Sequence, residues 1–565
     1  MDKKEFNVFR CIFFSSFFAF GLFYELIACI FCGLYGGFWA YMSIERKRMA
    51  FYCNAESLII SILVVMYAIT SFYGVDGGMG MIGFFKTANV FFFLCCAMQL
   101  SENQRQQLLS QVPKIGCIMV AMGGLAYIIR PLYGFFYTAG RLGGCFQYAN
   151  VFALFCLMGL LLAASHEAGT RREQWGCILQ VLFLVVGILL SGSRTVALFM
   201  ILFSLLFAMK QKNFRRVFLP LIAVALAGAG IYAAMTGNMQ NVGRFLTASL
   251  QSSTFLGRLL YAKDGLRLVW QHPFGLGYLG YRYMEPSVQT GVYSVRFVHN
   301  GFLQVALDIG IFPCILLVFI FCRNIVTKRN HFTERMLLLL LALHSMVDFC
   351  FEFTGMWLLL VLLLPQQYGK QINMAVGGKL AFYKVGALLL SVASCFIGAA
   401  MIPRYFGDAA LSVSLIPFYT EAATERLVLE TDTGKAVKLA QEILGRNAYI
   451  PEAYDVLAVA SYQQEEYQEM SKWKKESIRP RRYDTDSYER YIILLSQAIE
   501  AAGKEGNQEM QRELLEDVVA VARRIEKVKE ETDPLAYRIR DLPDFTLEVE
   551  TEAYIKQAKQ LLAVD

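Results

Sequence analysis

Long apolar blocks without a single charge dominate the first two-thirds of the chain; residues 181–190, 197–209 and 336–343 are examples. With their flanks they approach the roughly 20 residues needed to cross a hydrocarbon layer. Lipid offers no water to an unpaired backbone, so each such block must be a helix. The composition agrees: 56% of the 565 residues are hydrophobic and only 18% are charged, and the apolar ones are gathered in blocks as in membrane proteins. The net charge of +7 would suggest an acidic partner in a soluble protein. Here it reflects Lys and Arg in loops on one membrane side, and no nucleic-acid partner is expected.

The topology follows from where those cations collect. Residues 1–10 are basic and an apolar stretch follows, but no small-x-small cleavage site leads into a soluble region, so a retained first span is expected. Residues 11–42 are too long for one span, are interrupted by Glu25 and end at Arg46-Lys47-Arg48. A two-helix hairpin keeps both basic ends in the cytoplasm. By the same rule segments 101–114, 166–174, 210–216 and 323–335 lie inside. Segments 75–79, 130–144, 191–194, 348–355 and a long loop over 236–299 lie outside. A last span near 380–401 delivers the C-terminus outside, for roughly 12–13 spans. The expected fold class is all-α: a polytopic transmembrane helical bundle over residues 1–401 and a soluble helical-hairpin domain over 402–565.

Beyond residue 403 the sequence becomes charged and helix-forming. Pro451-Glu452-Ala453-Tyr454 with Leu457-Ala458 matches Thr485-Asp486-Ser487-Tyr488 with Tyr491-Ile492 at a shift of 34 residues. That is the period of tetratricopeptide helix hairpins, although an unrelated helical bundle gives similar spacing. Either arrangement suits a docking surface better than a catalytic domain. The 14 cysteines lie almost entirely in apolar segments. Cys29 and Cys32 have CxxC spacing inside such a segment and read as small hydrophobes, so neither a metal site nor a disulfide is expected.

Polar residues on the outer side are the candidates for chemistry. Four clusters occur there: Arg130 and Arg141 through Asn150; Ser191-Gly-Ser193-Arg194; Gly257-Arg258 with Pro273-Phe-Gly275-Leu-Gly277; and His299-Asn300 with Asp308-Ile-Gly310. Arg130 suits a snorkelling role. Arg141, Arg194 and Arg258 sit where the positive-inside bias disfavours them, which for Arg194 and Arg258 points to an anionic ligand. His272 precedes a proline and reads as structural, whereas His299 at the membrane–water boundary suits proton chemistry. His344 and Asp348 are spaced i, i+4 at the outer end of a span, where an ionisable pair either serves function or orients helices. Arginines and a histidine without a carboxylate cluster or a Cys/His ligand set suit a pyrophosphate-bearing substrate and require no metal or cofactor.

Phe146-Gln-Tyr-Ala-Asn150, Ser191-Gly-Ser-Arg194, Arg258 with Pro273-Phe-Gly-Leu-Gly277, and His299-Asn-Gly-Phe-Leu303 with Gly310 together resemble the bacterial O-antigen ligase and polymerase superfamily over residues 1–401. The resemblance implies a metal-independent membrane glycosyltransferase. Such an enzyme moves a glycan from an undecaprenyl-pyrophosphate carrier to an acceptor hydroxyl on a glycan, lipid or protein, outside the bacterial cytoplasmic membrane. By similarity Arg194, Arg258 and His299 are the catalytic residues and Arg141 a substrate-binding candidate; Asn150, Asn300, His344 and Asp348 are further substrate-binding candidates from their own positions. The helices of 402–565 are then expected to meet the acceptor or other polysaccharide-assembly proteins. Two readings compete: a transporter or flippase of lipid-linked oligosaccharides, and a membrane-anchored scaffold of the assembly machinery. A transporter usually shows paired, Gly/Pro-interrupted helices, and a scaffold leaves the outer arginines unexplained.

Overall fold

In the computed structural model the apolar stretch 11–42 divides at its one carboxylate. Helix Lys3–Phe18 starts from an Asp2 cap, ends at a tight turn, and gives way to helix Glu25–Glu45. Phe20, Gly21 and Leu22 all have positive φ in that turn, a conformation that glycine alone adopts without steric cost. At Gly21 a Cβ would also lie 2.5 Å from the Phe146 ring, so the break is locked against the segment that leads into the site. The structure describes all residues of the chain except 47, 168, 237–252, 328–329, 366, 376–378 and 565.

The architecture is almost wholly helical. Five helices are long and apolar enough to cross a membrane: Glu25–Ile44, Gly77–Ala97, Glu102–Ile128, Arg171–Ser191 and Ala381–Tyr405. Four more are apolar but shorter: Ala55–Thr70, Ala149–Ser165, Ile311–Val326 and Thr354–Leu363. The expected 12–13 spans thus meet five of full length and four short ones among the described residues. The short ones include the most central helices. Every residue of Thr354–Leu363 is buried, as are nearly all of Ala149–Ser165, and a helix that is apolar all round is one enclosed by other helices.

The last long helix, Lys379–Tyr405, lies along Glu25–Glu45 through small residues. A Cβ at Gly33 would come within 2.9 Å of the Ser391 carbonyl oxygen, and one at Gly398 within 2.7 Å of that of Leu26. Ser394 Oγ donates to the Cys29 carbonyl at 2.7 Å. Close backbone approach through small residues is how helices associate in lipid, and Cys29 and Cys32 sit buried in this seam.

Three features depart from the expectation drawn from sequence. Strand Arg48–Cys53 pairs antiparallel with Lys370–Ala375, placing Phe51 opposite Ile372. A second, two-residue pairing joins Tyr137–Thr138 to Arg141–Leu142. The expected outer loop 236–299, whose residues 237–252 lie outside the described ones, contains the helix Ser253–Gln271. Leu256, Leu260, Asp264 and Leu268 recur there every four residues and are buried, so the segment is an amphipathic helix. The C-terminal helices form amphipathic pairs. The 34-residue match falls at the starts of Pro451–Gln463 and Thr485–Lys504, where Ala453, Tyr454, Leu457 and Ala458, and equally Ser487, Tyr488, Tyr491 and Ile492, are buried.

Candidate active site

Four separate segments converge on one carboxylate. Asp348 follows the helix Phe332–Ser345 and is 1% exposed. Its Oδ1 accepts from Tyr148 Oη at 2.9 Å and from the Phe349 N–H at 2.9 Å, and faces His299 Nδ1 at 3.4 Å. Its Oδ2 accepts from Asn150 Nδ2 at 2.7 Å and lies 3.6 Å from Arg258 Nη2. Burial by itself would raise the Asp348 pKa. The hydrogen bond from His299 and the charge of Arg258 outweigh it and hold the group well below the usual carboxylate range.

Each partner arrives by a definite local device. Gly144 and Gln147 adopt positive φ just before the buried helix Ala149–Ser165, turning Tyr148 and Asn150 toward Asp348. Arg141 braces Asn150: Nη2 donates to Asn150 Oδ1 at 2.6 Å and Nε to the Ser191 carbonyl at 2.7 Å. The second bond ties this group to the turn that ends at Arg194. Arg194 itself is half-buried and opens the helix Arg194–Lys210 after Gly192 in the left-handed conformation. Arg258 donates through Nη1 to the Val347 carbonyl at 2.8 Å, while its buried Nε meets no partner among the described residues.

His299 packs against the rings of Phe349 and Tyr261, with centroids 5.0 and 6.1 Å away. A carboxylate only accepts hydrogen bonds, so a neutral His299 that bonds Asp348 carries its proton on Nδ1 and keeps the Nε2 lone pair. Asn300 is the cap of helix Gly301–Ile309: its Oδ1 accepts from the Leu303 N–H and its Nδ2 donates to the Met346 carbonyl, both at 3.0 Å. His344 is 1% exposed and its Nδ1 has no hydrogen-bond partner among the described residues; the Asp348 N–H donates to its carbonyl at 3.0 Å. Among the described residues, no three His, Cys, Asp or Glu side chains come together as metal ligands.

The glycine motif is a backbone clasp. The Gly277 N–H donates to the Asp308 carbonyl at 2.9 Å and the Ile311 N–H to that of Pro273 at 2.9 Å. Gly310 has φ 100° and ψ 168°, and a Cβ there would lie 2.8 Å from the Pro273 oxygen. This region of backbone space is essentially reserved for glycine. Gly310→Ala is therefore expected to destabilise the protein by about 1–3 kcal/mol from backbone strain alone. Membrane abundance and the melting temperature of the detergent-extracted protein would both fall.

A second polar network escaped sequence reasoning. Lys86 Nζ donates to Tyr278 Oη at 3.0 Å and to Glu352 at 3.4 Å. Glu25 Oε1 accepts from Tyr278 Oη at 2.5 Å and Arg296 Nη2 at 2.6 Å. The signal was present: Lys86 is the lone cation in an apolar stretch, and ionisable residues there are functional candidates by default. Tyr148, quoted in a motif without a role, was missed in the same way.

Residues 179–318 match the family described as O-antigen ligase, spanning Arg194, Arg258, His299 and the glycine clasp. No curated protein matches the chain. The motifs in order and this match across the site place residues 179–318 with the O-antigen ligase family, in a chain with five helices long and apolar enough to cross a membrane, and the likeness supports a role in joining surface polysaccharide.

Proposed function

We propose that this protein transfers a glycan from an undecaprenyl-pyrophosphate carrier to an acceptor hydroxyl at the outer face of a bacterial cytoplasmic membrane. The observation that carries the reading is the Asp348 bridge between Arg258 and His299, a fixed cation beside an oriented base. Arg258, whose Nε has no partner among the described residues, and Arg194 hold the pyrophosphate of the donor. A guanidinium fork matches phosphate oxygens and stabilises the charge that develops on the leaving group. His299 Nε2 takes the proton of the acceptor hydroxyl as its oxygen bonds to the sugar C1. The C1–oxygen bond to the carrier breaks at the same centre, and undecaprenyl pyrophosphate departs. Arginine charge supplies the stabilisation, so metal is not called for. Asp348, Asn150, Arg141, Asn300 and His344 position the reacting groups.

The positive-inside bias of the basic loops supports C-terminal helices lying outside, in reach of acceptor or assembly partners. The polymerase and ligase forms of the reaction share this donor chemistry and part at the acceptor. A deletion strain separates them through the sizes of its lipid-linked and surface glycans. Single lipid-linked repeats accumulating without long chains identify a polymerase, and long lipid-linked chains that never reach the surface identify a ligase. Unchanged glycans on both carriers would overturn the enzymatic reading.

A further inference from the structure

The C-terminal helices reach both sides of the Asp348 centre. On one side they meet the helix that carries Arg258. The Asp533 N–H donates to the Thr290 carbonyl at 2.8 Å, and its carboxylate pairs with Lys263 of the Ser253–Gln271 helix. Asp264 of the same helix holds this loop, accepting from the Thr290 N–H at 2.9 Å and Tyr293 Oη at 2.7 Å. Ala536 fills the space beside Gly291, where a Cβ would come within 2.7 Å of it and 2.8 Å of Leu260. Ala536 and Ile539 join one apolar cluster with Leu256, Leu260 and Tyr293. Leu256 and Leu260 stand two residues before and after Arg258.

On the other side Glu421 pairs with Arg282 and lies 3.7 Å from Arg296, three residues before His299. Arg404, at the end of the Lys379–Tyr405 helix, braces Glu421 at 2.5 Å. The arginine helix and the histidine segment are therefore both fastened to residues that follow the last apolar helix.

We propose that the segment 533–539 is a positioning element for Arg258, so that the C-terminal region is a working part of the transfer site. This rests on the reading of Arg258 as the pyrophosphate ligand. Among the described residues, a 2.8 Å bond to Val347 and a 3.6 Å contact with Asp348 hold the guanidinium. A rotation or slide of its helix moves it off both. Misplacement by about 1 Å is enough to cost about a hundredfold in rate.

The test is a mutant cycle in the full-length chain, read as long-chain glycan per unit of membrane-inserted protein in the complemented deletion strain. Ala536→Trp wedges the segment from the helix and is expected to lower transfer by at least about tenfold. Acting through Arg258, it has less than about a twofold further effect in an Arg258→Lys background. Equal fold losses in both backgrounds, or no loss in the first, overturn the proposal and leave the arginine reading standing. If Arg258→Lys transfers like the wild type, the arginine reading falls and takes this proposal with it. Should Ala536→Trp fail to reach the membrane, Lys263→Asp and Asp533→Lys ask the same question. Each alone is expected to lose transfer and the pair together to restore it; a pair no better than its singles overturns the proposal.

Discussion

Replacing Arg258 by alanine is expected to lower glycan transfer by about a hundred- to a thousandfold, the usual cost of removing a group that stabilises developing charge. Protein abundance in the membrane should stay near the wild-type level. Asp348 keeps hydrogen bonds from Tyr148, Asn150 and the Phe349 N–H when Arg258 is lost, so its charge is not stranded. Arg258→Lys is the sharper variant. An ammonium keeps the positive charge, but it cannot reach the Val347 carbonyl and Asp348 in the spread geometry of the two Nη groups while presenting Nε to a ligand. Transfer by the lysine variant should therefore stay well below wild type and above alanine. Glycan size distributions from complemented deletion strains decide it. Wild-type chain lengths in Arg258→Ala would remove the pyrophosphate clamp and bring the transporter and scaffold readings forward.

The helical membrane class was legible because apolar block length and loop charge are local properties. The break at Glu25 was legible for the same reason: a lone carboxylate in an apolar run is conspicuous. The site candidates could be picked out individually, since arginines read as outer run against the positive-inside bias and the chain has only five histidines. What joins them was not. Asp348 contacts Tyr148 and Asn150 about 200 positions away, a relation that no periodicity encodes. The Pro273–Gly277 and Gly310 motif signalled backbone conformation, and only the fold brings it together as a clasp. Arg48–Cys53 and Lys370–Ala375 likewise pair across most of the chain. Segment 533–539 is a short 3-10 turn with no motif of its own, and its partner helix lies in a stretch that reads as loop.

Asp348→Asn exchanges one carboxylate oxygen for an NH2 group and should lower both transfer and stability. Every partner of the carboxylate is a donor: His299, Tyr148 and the Phe349 N–H at Oδ1, and Asn150 and Arg258 at Oδ2. An asparagine must put its NH2 group on one of those two sides, where Arg258 and the amide N–H groups cannot accept from it and only a turned Tyr148 hydroxyl, or His299 Nδ1 in its other tautomer, can. Facing His299, it removes the bond that sets the ring's tautomer; facing Arg258, it leaves a partly buried cation without its counter-ion. Breaking a buried pair by removing one partner costs about 3–5 kcal/mol, so the melting temperature should fall together with transfer. His299→Gln separates the two effects. It removes the base and should lower transfer by about a hundredfold or more, yet it keeps a side chain that can donate to Asp348 and so spares stability. The pH dependence has a defined sign. The folded pKa of Asp348 is depressed, so its contribution is present above the unfolded value of about 4 and is lost as pH falls through the folded value. Wild-type stability should therefore show no step from this group between about pH 5 and 8, while a stability step there that vanishes in Asp348→Asn would mean that Asp348 is not held ionised by Arg258 and His299.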